Sequence, residues 1–357
     1  MPNRFPNKMT LIDIFSGVGG MSLGFQQVGF EPLLAVEFDA KIADSYKRNH
    51  PNTKVIIDDI AKIDLRKTFS KYQGKVTAVI GGPPCQGFSQ KGKRDILDDE
   101  RNYLFRKFIE VVEIVKPQYV LVENVSNILT TENGKFREEI ENKFQTLGYG
   151  VKSKVINVSD FGVPQMRRRA FFLGKRGDLK IDLPESNKAK TSVWDAISDL
   201  PKIESGEGED FYRYSKKPLS DYQRILRRNS KGIYNHISTK HSEIALKRLS
   251  LIPAEKGKEC LPKEHLTKSI YSGTWCRLIK NKQAATITTR FDTPSSGQFT
   301  HPVLNRAITV REAARLQSFP DDYIFYGNKS SQMKQVGNAV PPLLASIIAN
   351  LIKKDLN

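Results

Sequence analysis

Cysteine is scarce: Cys85, Cys260 and Cys276 are the three in 357 residues, and no two stand at a Cys-x-x-Cys spacing. That excludes a disulfide framework and a thiolate zinc site, and it fits a reducing cytoplasm. No metal is expected. Long apolar runs are missing too. The first, residues 9–15, is too short for a signal-peptide core or a membrane span and follows a short, polar, proline-bearing start, so neither export nor a membrane partner is expected. Repeats and low-complexity tracts are lacking; residues 204–210, rich in Gly and Glu, are the best linker candidate. Acidic residues are the remaining shortage, 39 against 57 Lys and Arg, a formal +18 that points to a polyanionic partner. Residues 211–290 hold 18 Lys/Arg and 5 Asp/Glu, so +13 of that excess sits in one stretch rather than being spread as a solubilising surface.

What is present centres on Val79-Ile80-Gly81-Gly82-Pro83-Pro84-Cys85-Gln86. A β-branched run stops at two glycines and two prolines, so a buried strand ends in a forced turn that presents one cysteine at a sheet edge. Enzymes with α/β sheets hold their chemistry there, although a free cysteine is otherwise a small buried hydrophobe. Leu11-Ile12-Asp13-Ile14-Phe15 reads as an earlier strand, followed by the turn Ser16-Gly17-Val18-Gly19-Gly20 and an amphipathic helix through Gln27. Ser22 stands where a dinucleotide fingerprint has its third glycine, which favours a nucleoside without a pyrophosphate. A strand over 33–36 delivers Glu37, twenty residues beyond Gly17, the distance at which an acid reaches ribose hydroxyls.

A third strand is expected over 55–60, a charged surface loop over 90–101, and a helix over 102–115. The strand over 119–122 delivers Glu123, a carboxylate that costs desolvation free energy unless it has a task or a partner. A helix over 136–147 precedes an antiparallel pair from 151 to 174, entered through Gln165-Met166-Arg167-Arg168-Arg169; alternation puts Arg167 and Arg169 on one face. Residues 175–305 are irregular, basic and interleaved with Tyr212, Tyr214, Tyr222, Tyr234, Tyr271 and Trp275, groups able to touch bases. Within them 284–289 reads as a strand, and His301 as structural. Thr309 and Glu312 form a capping box, and 335–342 leads into an apolar helix ending at Ile352.

Pro83-Pro84-Cys85-Gln86 after an apolar strand resembles the nucleophile motif of the DNA (cytosine-5)-methyltransferases, and further blocks follow in that family's order across nearly the whole chain. The resemblance implies an α/β fold with the class I S-adenosylmethionine-dependent methyltransferase (Rossmann-like) sheet and a second, smaller target-recognition lobe. The catalytic domain would be residues 1–200 plus 330–357, and the recognition domain 201–329. Cys85 would be the nucleophile, Glu123 would hold the amidine edge of cytosine, and Arg167 and Arg169 would support the base pocket. The cofactor, S-adenosylmethionine leaving as S-adenosylhomocysteine, would meet Phe15, Gly17, Gly19, Glu37, Phe38, Asp59, Ile60, Pro83, Leu104, Asn338 and Ala339. Gln86, Ser89 and Thr286 would touch DNA. Arg277 and Arg290, flanking the threonine segment, are the first choices for guanine contacts because a guanidinium pairs with O6 and N7 together.

The implied activity is methyl transfer to carbon 5 of a cytosine flipped out of a short specific duplex sequence. The enzyme would be a restriction-modification type working as a monomer on double-stranded DNA in a bacterial or phage-infected cytoplasm. The alternative is a tRNA cytosine-5 methyltransferase on the same motifs, against which the long basic region speaks. A catalytically silent DNA-binding relative is disfavoured by the intact Cys85, Glu123, Gln165 and Arg167. Amino-directed methyltransferases carry a different motif and need no cysteine.

Overall fold

The computed structural model describes residues 8–84, 103–186, 190–267 and 273–357. Cys85, Gln86, Ser89, the 90–101 loop and Tyr271 lie outside the described residues. The chain divides into two compact units: residues 1–157, 168–185 and 344–357 form the first, and 158–167 with 186–343 form the second. The expected boundaries at 200/201 and 329/330 therefore differ from the contact division at 185/186 and 343/344. The 204–210 segment is not a linker. Its glycines close a turn in which Gly206 N–H donates to Ser238 Oγ at 2.8 Å, and its last residues enter a strand.

In the first unit, strands and helices alternate: β1 (Thr10–Ile14), α1 (Gly20–Val28), β2 (Glu31–Glu37), α2 (Ala40–Asn49), β3 (Lys54–Ile57), α3 (Leu65–Phe69), β4 (Ala78–Gly81), α4 (Tyr103–Val115), β5 (Tyr119–Val125), α5 (Lys135–Thr146), β6 (Tyr149–Asn157) and β7 (Arg168–Arg176). They build a seven-stranded sheet in the order β3-β2-β1-β4-β5-β7-β6. The pairs among β1 to β5 are parallel, and β7 runs antiparallel to both β5 and β6, as the hairpin pattern of the sequence implied. A parallel strand is covered on both faces, which is why β1 and β4 are buried at every position and read as continuous apolar runs. Ile12, Val79, Val120 and Val122 pack there against Phe105, Phe108, Val111 and Val115 of α4. The strand order reverses between β1 and β4, so the crevice at their C-terminal ends is where this sheet type holds ligands.

The second unit contains α6 (Val193–Ile197), the antiparallel pair β8 (Gly208–Arg213) and β9 (Gly232–Ile237), α7 (Asp221–Leu226), α8 (Glu243–Ser250), α9 (Val310–Leu316) and α10 (Lys329–Asn338). The chain then enters α11 (Pro342–Leu356). Among the described residues, 329–356 is the one stretch with the length and hydropathy of a membrane span, and 67% of that window is buried in the protein.

Helix α9 is buried at all seven positions, although three of them are charged. The charges are matched internally. Arg306 is bidentate to Glu312 at 2.8 and 2.8 Å, and Arg315 meets Asp321 at 2.9 and 2.6 Å and also pairs with Asp199. Arg311 donates to the carbonyls of Tyr234, Pro320 and Tyr323. The capping box is present: Thr309 Oγ1 accepts from Glu312 N–H, and the Glu312 carboxylate accepts from Thr309 N–H at 2.7 Å. A buried guanidinium is tolerable only when paired and hydrogen-bonded, and here each is.

Candidate active site

The first residues expected to meet the cofactor lie at the C-terminal end of β1. Phe15 (φ 60°) and Gly17 (φ 54°) are both left-handed, which turns the chain sharply into α1. Among the described residues, a Cβ on Gly17 would meet nothing within 4 Å, whereas one on Gly19 would fall 2.5 Å from His50 Nε2. The first glycine therefore faces open space and the second seats the turn on α2. Gly17 N–H donates to Glu37 Oε2 at 2.8 Å, and Asp39 N–H donates to Glu37 Oε1 at 2.9 Å. Burial pushes the Glu37 carboxyl up, against the backbone bonds that lower it. Phe38 is 73% exposed, so it is not a core residue. Leu104 is half-buried on α4, and Pro83 is buried after β4.

Behind the turn lies a cluster that residue-by-residue reading of the sequence passed over. Asp13, within β1, is fully buried; Ser22 Oγ donates to its Oδ2 at 2.6 Å and lies 2.8 Å from Tyr46 Oη. Burial, with the Glu37 charge adding and the Ser22 bond opposing, pushes the Asp13 carboxyl up to about 7. The signal was available, since an acid inside an apolar strand raises the same question of cost as Glu123. Ser22, where a third glycine was missing, is the partner.

The residues expected around the base lie where β4 and β5 end. A Cβ on Gly81 would lie 2.1 Å from the Ile14 carbonyl, so only glycine lets β4 pass β1 there. Asn124 Nδ2 donates to the Pro83 carbonyl at 2.9 Å, tying the strand end to the turn that enters Cys85. Glu123 and Arg169 sit on paired strands, and Arg169 Nε lies 3.1 Å from Glu123 Oε1. Arg168, between Arg167 and Arg169 in the sequence, is exposed, as alternation required.

The remaining residues belong to the second unit. Gln165 is fully buried: its Oε1 accepts from Ile287 N–H at 2.7 Å and its Nε2 donates to Gln317 Oε1 at 2.8 Å. Gln317 Nε2 donates in turn to the Val336 carbonyl at 2.8 Å, near the end of α10 where Asn338 is exposed and Ala339 buried. Arg167 Nη1 donates to the Ile287 carbonyl at 3.2 Å, and Met166 N–H to the Ala284 carbonyl at 2.8 Å. Thr286 Oγ1 donates to the Met166 carbonyl at 2.7 Å.

Several expectations are corrected. Residues 284–289 do not form a strand: one bridge, Gln165 to Ala284, is present, and side chains replace the rest of the ladder. The strand expected over 55–60 stops at Ile57; Ile60 turns into the core, and Asp59 Oδ1 accepts from Ala61 N–H at 3.0 Å. Arg277 is not a guanine reader. It is 5% exposed, and its guanidinium is spent on the carbonyls of Leu249, Ile252, His301 and Leu304 and on Asn305 Oδ1. Arg290 is exposed. Tyr222 and Trp275 are buried, and Tyr214 donates to Asp321 at 2.7 Å under the Arg227 guanidinium, so these rings are structural. His301 is structural, as expected: its Nδ1 accepts from the N–H groups of Val303 and Leu304, and burial pushes it down to about 4.

Comparison with known proteins accords with this geometry. Residues 9–354 match the model of the C-5 cytosine-specific DNA methylases. The chain is 40% identical to the Type II methyltransferase M1.HphI of Haemophilus parahaemolyticus, over 97% of this chain and 87% of that one. It is 37% identical to the Type II methyltransferase M.DdeI of Desulfomicrobium norvegicum, over 96% and 88%. Among solved structures it resembles a protein described as a candidate DNA modification methyltransferase encoded within an E. coli prophage, with TM-score 0.80, 28% identity and coverage of 98% and 100%. A Spodoptera frugiperda DNMT2 structure, TM-score 0.63 at 17% identity, shares the fold. With a parallel sheet that switches direction at the glycine turn, and a match spanning nearly its full length, the chain belongs to the C-5 cytosine-specific DNA methylase family.

Proposed function

We propose that this enzyme transfers a methyl group from S-adenosylmethionine to carbon 5 of a cytosine flipped out of a specific duplex sequence. The observation that carries the reading is the pairing of Glu123 and Arg169 beside the Gly81–Pro84 turn, at the point where the strand order reverses and the chain enters Cys85. The cofactor supplies an electrophilic methyl group. The residues of the first unit fit its adenosyl part: open space over Gly17, a carboxylate at Glu37 already aligned by two N–H groups, and an exposed aromatic face at Phe38. Asp59, Ile60, Pro83 and Leu104 complete the proposed pocket of the first unit; Asn338 and Ala339 are proposed as further cofactor-binding residues.

Carbon 5 of cytosine is a poor nucleophile until a thiolate adds at carbon 6 and makes the ring an enamine. Cys85 supplies that thiolate. Charge then moves to N3, where Glu123 neutralises it as a proton donor. Arg169 holds O2, and Arg167 fixes the segment that bears Thr286. Transfer of the carbon 5 proton to a general base breaks the bond between carbon 6 and sulfur and expels Cys85 as its thiolate. A base inside a duplex offers no access to carbon 6, so the cytosine is extruded. Gln86, Ser89, Thr286 and Arg290 are the proposed DNA contacts. The relatives named as Type II methyltransferases support a restriction-modification setting; the proposed form is a monomer acting on double-stranded DNA in a bacterial cytoplasm.

Label transfer from the cofactor to duplex DNA, with tRNA as the competing substrate, tests the reading. Duplex labelling that Cys85→Ser abolishes while duplex binding persists is expected. Preferential labelling of tRNA would overturn the substrate assignment, and turnover near wild type in Cys85→Ser would overturn the nucleophile.

A further inference from the structure

We propose that Asp13 selects the cofactor by charge: this buried carboxyl behind the glycine turn releases its proton to solvent when the sulfonium form binds and keeps it when the neutral thioether product binds. The inference rests on the cofactor assignment above.

Its ground is an unbalanced acid. Asp13 is fully buried, and among the described residues one of its oxygens is occupied, by Ser22, while Oδ1 is buried with no hydrogen-bond partner. The charged group acting on it is another acid, Glu37, on which Asp39 acts in turn. The other titratable groups facing this cluster come from α2. Tyr46 is held neutral because burial raises it, and burial pushes His50 down to about 4, so neither brings a cation at neutral pH. A buried carboxylate is ordinarily paired with a cation, and among the described residues Asp13 has none. The partner that fits is one that arrives with the ligand.

Glu37 and Gly17 mark where that ligand sits, joined at 2.8 Å at the end of the strand next to β1. A fixed positive charge there favours the ionised form of Asp13 across a medium of low dielectric. Because burial sets Asp13 at about 7, both of its protonation states are available near neutrality. S-adenosylmethionine carries the sulfonium; S-adenosylhomocysteine is the same molecule without that charge. Transfer of the methyl group therefore removes the charge that kept Asp13 ionised. The proton returns, and the product is held less tightly than the substrate.

Calorimetric titration of the full chain with each ligand, in two buffers of different ionisation enthalpy near pH 7, measures the protons exchanged. The sulfonium lowers the pKa of the ligand's own amino group, so free S-adenosylmethionine is the less fully protonated of the two; binding as the ammonium makes it take up a fraction of a proton, opposite in sign to the release expected from Asp13. Near its midpoint, Asp13 should release up to about half a proton more for S-adenosylmethionine than for S-adenosylhomocysteine. The ratio of the two affinities should rise about tenfold between pH 6 and pH 8, a shift of the order one buried charge gives. Asp13→Asn should remove both effects while still binding S-adenosylhomocysteine. Release for S-adenosylmethionine no greater than for S-adenosylhomocysteine, or an excess release that survives in Asp13→Asn, would overturn the proposal. The pH dependence of the wild-type affinity ratio decides the matter without the variant, should Asp13→Asn not fold. A wild-type protein that binds neither ligand would instead refute the cofactor assignment.

Discussion

Removing Glu312 should unfold the second unit at a much lower temperature than truncating a surface acid. Arg306 has no exposed surface, and Glu312→Ala deletes both of its carboxylate contacts at 2.8 Å together with the acceptor for Thr309 N–H. Breaking a buried pair by removing one partner costs about 3–5 kcal/mol. Loss of the reciprocal cap adds about 1 kcal/mol. In a unit of this size each kcal/mol lowers the melting temperature by about 2–4 °C, so a fall of about 8–24 °C is expected by scanning calorimetry. The denaturant midpoint should drop with the slope unchanged. Burial raises the Glu312 pKa, but the Arg306 charge and bonds outweigh it and hold the carboxyl well below its usual range. The stabilisation is thus fully present above the unfolded value of 4.5 and is lost as pH falls below it. Replacing both partners, Arg306→Met with Glu312→Leu, should recover most of the loss, because no orphaned charge remains. A loss under about 1 kcal/mol in Glu312→Ala, or a double variant as unstable as the single, would refute the view that this pair organises the unit.

The two flanking arginines should part company. Arg277→Ala strands five internal acceptors and should cost about 2–4 kcal/mol of stability in melting experiments. Arg290→Ala should leave melting unchanged and, if it removes a phosphate contact, lower the slope of log affinity against log salt by about 0.9; the reverse pattern would exchange their roles. Gly17→Val, at φ 54° with open space ahead of it, should weaken cofactor binding in calorimetry, and unchanged affinity would show the loop to be misplaced. Asp13 costs nothing below its unfolded value of 3.8, and its cost grows as pH rises to about 7. Asp13→Asn should accordingly gain about 3–5 kcal/mol relative to wild type between pH 4 and 8 in denaturant titrations. Parallel pH profiles would show that Asp13 ionises freely.

The sheet was legible because parallel strands in a double-covered sheet are written as apolar runs punctuated by glycine turns, as at Val79 to Gly82 and Leu11 to Gly20. Glu37 and Glu123 were legible because they stand directly at strand ends. The second unit was harder for a physical reason: its core helix buries arginines, so composition reports charge where the structure has an interior. Arg277 was misjudged on the same ground. Nothing local distinguishes a guanidinium that binds five carbonyl-type oxygens from one that binds a base. The 284–289 segment misled because its threonines favour strands, while its N–H and C=O groups are met by Gln165 and Arg167 from elsewhere in the sequence.

That last arrangement bears on how such an enzyme can change its target. Gln165, Met166 and Arg167 grip residues 284–287 almost entirely by main-chain atoms, and Gly337, whose Cβ would lie 2.2 Å from the Thr288 carbonyl, does the same from α10. A socket that holds mainly the peptide backbone leaves the exposed side chains of the segment unconstrained, while Ala284 and Ile287 are buried and the Thr286 hydroxyl is held by the Met166 carbonyl. Exposed positions such as Thr288 can therefore drift, lineage by lineage, without losing their seat, which would let the DNA contacts proposed for this segment change at little cost to folding.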